Sequence, residues 1–80
     1  MTKAFTTKIA PRITVDPAVK SGKPVIKGTR VPVELVIGKL AGGMEIDEVM
    51  REYGLTKKDV LAALDYAAKV VGEEEVRVVK

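Results

Sequence analysis

The chain has 80 residues, 14 of them basic and 11 acidic, giving a formal net charge of +3, and it contains neither cysteine nor histidine. That composition excludes a disulfide framework, a thiolate metal site and nucleophilic chemistry built on Cys or His. A chain this short makes one small domain with a marginal core, for which a dimer or a partner-bound state is the natural expectation.

The charge is uneven. Residues 1–30 hold seven basic groups and one acid, whereas residues 31–80 hold seven basic groups and ten acids. A basic arm beside an acidic helical part suits an anionic partner for the arm. The segment from Met1 to Ala10 lacks a clear period and is expected to fray. It has no apolar run suited to a signal peptide, and no stretch approaches a membrane span, so the expected location is cytoplasmic. Arg12, Ile13, Thr14 and Val15 alternate polar and apolar and read as a strand, ended by Asp16-Pro17. Val25-Ile26 is a second short β-branched strand, and the two pair as an irregular N-terminal β hairpin.

Three helices follow. The first runs from about Pro32 to Ala41, with Val33, Val36, Ile37 and Leu40 on one stripe and Gly42-Gly43 as its stop. The second, about Glu45 to Tyr53, repeats the spacing with Ile46, Val49, Met50 and Tyr53 and stops at Gly54; Glu45 is a weak cap that leaves its start prone to fray. The third, from Lys57 to Val71, starts on Thr56 with Asp59 three residues on, a capping-box pattern, and ends at Gly72. Its apolar band is wider than two short helices can cover. Leu61, Tyr66 and Val70 are therefore the candidate homodimer surface, with cover by the N-terminal hairpin as the alternative. The single domain, 1–80, divides into a basic β arm at 1–31, a three-helix core at 32–72 and a C-terminal tail at 73–80. The expected fold is mainly α, with the second and third helices arranged as a helix-turn-helix around Gly54-Leu55-Thr56.

The stretch Gly22-Lys23-Pro24-Val25-Ile26-Lys27-Gly28-Thr29-Arg30-Val31-Pro32 is the densest in turn signals. It is followed by an apolar helix, a Gly-Gly break and Leu55-Thr56 opening a helix with Asp59-Val60, Ala62-Ala63-Leu64 and Tyr66-Ala67-Ala68. In this combination, covering about Arg12 to Val71, the chain resembles the domain-of-unknown-function 433 family, grouped with VapB-type antitoxins. The resemblance implies a homeodomain-like helical core and an antitoxin role beside a PIN-like ribonuclease toxin.

Function is expected to rest on binding, not on an active site. The carboxylates and lysines form no paired catalytic set, and no enzyme activity, cofactor or metal is expected. For operator DNA, the candidate contacts are Lys8, Arg12, Lys20, Lys23, Lys27 and Arg30 of the arm, with Lys57 and Lys58 on the third helix. That helix carries none of the Arg, Asn or Gln that reads bases well, so the arm is the better candidate. Arg30 has a competing structural role, pairing with Glu34 or Asp16, and Thr29 reads as a local backbone cap. For the toxin, the candidate segment is Val76, Arg77, Val78, Val79 and Lys80, whose cations suit a carboxylate cluster and whose valines suit a strand edge. A DNA-binding regulator without a toxin, or a non-catalytic interaction module, is the alternative.

Overall fold

A computed structural model describes residues 7–73 of the chain. Strands β1 (Thr7–Ala10), β2 (Ile13–Val15) and β3 (Val25–Ile26) precede helices α1 (Val33–Ala41), α2 (Ile46–Tyr53) and α3 (Lys57–Glu73), so the fold is mainly α with a small sheet. The helices stand within a residue or two of their expected bounds.

The sheet is antiparallel in the order β1-β2-β3. Ile13 faces Ile26 and Thr14 faces Val25, which is the expected hairpin. The frayed N-terminal segment is corrected in part. Thr7 pairs with Val15 and Lys8 with Thr14, and the register then slips by one residue before Ala10 meets Ile13. The alternation of residues 7–10 is too short to stand out in sequence; the free edge of β2 supplies the missing order. The tight turn Pro11-Arg12 makes this pairing possible, with Arg12 in the left-handed region at φ 64°. Proline fixes the first turn position and the second needs a positive φ, which is costly for a side chain other than glycine.

The turn-rich motif folds as its residues dictate. Gly28 takes φ 79°. The Thr29 hydroxyl donates to the Ile26 carbonyl at 2.7 Å and accepts the Val31 amide at 3.0 Å, so Thr29 is the local cap its position suggests. Pro32 is still extended and bridges to Val25, and it becomes the residue before α1. The sheet thereby runs straight into the helical part.

Ile13 and Ile26 from the sheet, Val36 from α1, Val49 from α2 and Val60 and Ala63 from α3 have no exposed surface and form one core. Gly54 ends α2 in the left-handed region at φ 67°, a conformation that glycine takes without strain. Gly72 does not act the same way. Contrary to expectation, α3 continues through it to Glu73, and Gly72 is not among the residues with positive φ.

Candidate interaction surfaces

The start of α3 is where sheet and helices are joined by polar contacts. The Asp59 amide donates to the Thr56 hydroxyl at 3.1 Å and the Thr56 amide to Asp59 Oδ2 at 3.0 Å, which completes the expected capping box. Arg12 Nη1 reaches the other oxygen of the same carboxylate, Oδ1, at 2.9 Å. Burial pushes the Asp59 carboxyl up, but hydrogen bonds from Thr56 and the charge and bond of Arg12 outweigh it and hold the group below its ordinary value. The left-handed turn at Arg12 therefore aims a guanidinium at the helix start. Sequence reading placed Arg12 and Asp59 in separate roles because nothing local links residues so far apart. α2 is capped in part by its own Glu48, which accepts the Glu45 amide at 2.9 Å.

A groove of about 520 Å³ opens between α1 and the second half of α3. Val33, Ile37 and Gly38 line it from one helix, Tyr66, Ala67, Val70 and Val71 from the other, with Pro24 from the turn-rich motif. At its rim, Lys23 Nζ holds Glu34 Oε2 at 2.6 Å. Glu34 is thus held by Lys23, and Asp16 accepts the Ala18 amide within its own turn. Two i, i+4 pairs, Val33/Ile37 and Tyr66/Val70, signal the groove in sequence; that they face each other is a tertiary fact.

The expected DNA-contacting cations are spread over the molecule. Lys8 lies exposed on β1, Lys20 in a left-handed turn, Lys27 and Arg30 in the motif, and Lys57 and Lys58 in the first turn of α3. Two of the set are held in ion pairs, Arg12 by Asp59 and Lys23 by Glu34. The expected dimer residues are separated as well. Tyr66 and Val70 line the groove, whereas Leu61 lies on another face of α3 and is 48% exposed. The segment Val76–Lys80 lies outside the described residues. Among the described residues no group of three or more His, Cys, Asp or Glu can hold a metal ion, and no helix is long and apolar enough to cross a membrane.

The chain is thus a small mainly-α unit with a three-stranded antiparallel sheet and an open apolar groove between α1 and α3. The family model for "Protein of unknown function (DUF433)" matches residues 13–67, and the chain belongs to that family. It is 34% identical over 62 residues to the uncharacterized protein Rv2308 of Mycobacterium tuberculosis, covering 78% of this chain and 26% of the relative. The crystal structure of Rv2018 from the same organism superposes with a TM-score of 0.61 at 36% identity, over 66% of this chain and 25% of that one. The chain thus spans about a quarter of the length of each of these relatives.

Proposed function

We propose that this chain is an antitoxin-like binding protein that neutralises a PIN-like ribonuclease, acting by contact and not by catalysis. The observation that carries the reading is the open apolar groove between α1 and α3, lined by Ile37, Tyr66, Val70 and Val71. On so small a chain, an exposed apolar concavity rimmed by an ion pair is a seat for a helix or strand of another protein. The sequence resemblance to VapB-type antitoxins supplies the class of partner. Val76–Lys80 would add Arg77 and Lys80 toward the carboxylates of the nuclease.

Co-expression with the nuclease encoded in the adjoining reading frame tests this reading. The full chain is expected to rescue growth and to co-purify with the nuclease, and Val70→Glu in the groove to lose both. Rescue undiminished by Val70→Glu, or an adjoining frame that encodes no nuclease, would sink it. Operator binding is a second reading, favoured by the exposed Lys8, Lys20, Lys27 and Arg30 around a helix-turn-helix-like core. Their contacts would go to phosphates, so binding would fall steeply with salt for every sequence alike.

A further inference from the structure

We propose that residues 74–80, which follow α3, fold back into the groove between α1 and α3 and cover it in the free chain. The groove wall indicates what kind of occupant it takes. Gly38 lies inside α1 and lines the groove, although glycine is a poor helix former. Its φ is not positive, and no described atom beyond its own helix backbone lies within 4 Å of where a side chain would begin. Nothing among the described residues therefore requires glycine there. A missing side chain on a groove wall lets another main chain pass close by. Ala67 on the other helix is also small, while Ile37, Tyr66 and Val70 give the apolar depth. Such a seat fits an extended segment with short branched side chains.

Three features select the chain's own continuation as that segment. The first is its point of departure. α3 lines the groove as far as Val71 and reaches Glu73, so residues 74–80 start at the groove's end. A segment tethered so closely is present at an effective concentration in the millimolar range, which few free partners match. The second is the sequence Glu73-Glu74-Glu75. Three acids in a row at a helix C-terminus oppose its dipole and favour leaving the helix. The third is Val76-Arg77-Val78-Val79, a β-branched run in which alternation puts Val76 and Val78 on one side and Arg77 on the other. Extended, this run covers about 10 Å, against about 7.5 Å of helix rise from Tyr66 to Val71. At the rim, Glu34 is paired with Lys23 yet its side chain is still 64% exposed, and Arg77 on the outward side complements its charge.

This cover is a property of the free chain and needs no nuclease. A partner entering the groove has to displace the segment first, and its arrival frees Arg77 and Lys80. Binding is thereby restricted to partners that outcompete a tethered strand.

Because the chain has no cysteine, a nitroxide can be attached to the full chain at Lys80→Cys alone. In nuclear magnetic resonance spectra, the amides of Val33, Ile37, Gly38 and Tyr66 are expected to broaden severalfold more than those of Leu61 and Lys8. Tethering by itself brings the label near the end of α3, so the deciding comparison is Val76→Asp/Val78→Asp in the same labelled chain. That double change alters none of the core residues and is expected to remove most of the broadening at Ile37 and Gly38 while the amide dispersion stays. The apolar dye anilinonaphthalene sulfonate should bind the double variant severalfold more strongly than the parent. Broadening and dye binding that ignore the double change would overturn the proposal. So would broadening that arises only when label-free chains are mixed with labelled ones, which would seat a second copy's segment in the groove.

Discussion

From Thr56 to Ala63, α3 is fixed on every side that meets the protein. Its first turn is capped by Thr56 and Asp59, the cap is gripped by Arg12, and Val60 and Ala63 are wholly buried. From Leu64 to Glu73 the same helix keeps an apolar composition yet buries no residue completely; Leu64, Val70 and Val71 remain at least a third exposed. Apolar content is thus no guide to what a helix does. The first half spends its hydrophobic surface on the fold, and the second half leaves it at the surface and along the groove.

That contrast is best broken by charge. Val60→Asp places an unpaired carboxylate in the core and is expected to unfold the chain, since such burial costs several kcal/mol. Leu64→Asp, one turn on, should leave a folded protein with unchanged far-ultraviolet dichroism. A milder form of the comparison uses truncation. Val60→Ala should cost roughly 2 kcal/mol in urea denaturation through loss of packed methyls, whereas Val71→Ala should stay within about 0.5 kcal/mol of the parent.

The next effect down is the joint at the helix start. Asp59→Ala removes half of the capping box and the partner of Arg12, and is expected to cost about 1–2 kcal/mol. Because the Asp59 carboxyl titrates below its ordinary value of 3.8 in the folded chain, its contribution is fully present above that value. It is lost as pH falls through the lower, folded one. Urea melts in the acid range should show this loss in the parent and a flatter profile in Asp59→Asn; identical slopes would separate Asp59 from acid sensitivity.

The smallest effects come from two glycines and should have opposite signs. Gly72 is helical with open space around it, so Gly72→Ala should stabilise by up to about 0.5 kcal/mol. Gly54→Ala forces a side chain into φ 67° and should destabilise by about 1 kcal/mol. Thermal melts of the two variants moving in the same direction would contradict the helical reading of Gly72.

The three helices were legible because Val33, Val36, Ile37 and Leu40, and their counterparts in α2 and α3, repeat the helical spacing locally, and because Thr56 and Asp59 carry their cap within four residues. What was not legible required distance. β1 exists only because β2 offers an edge, and a slipped register hides its alternation. The role of Arg12 depends on Asp59, 47 positions away. The groove needs two stripes that sequence can identify but cannot set face to face. Gly72 was misread for a different reason: glycine permits a stop without enforcing one, and nothing beside it demands a left-handed turn.

The grip of Arg12 on Asp59 also bears on how the molecule opens. The Lys27 amide donates to the carbonyl of Arg12 itself, at 2.8 Å. Arg12 therefore bonds to the strand motif through its carbonyl and to the cap of α3 through its guanidinium, and so links the two. In hydrogen exchange, the amides of Lys27, Thr56 and Asp59 should lose protection together, as one cooperative unit, although Lys27 lies far from the other two in the sequence.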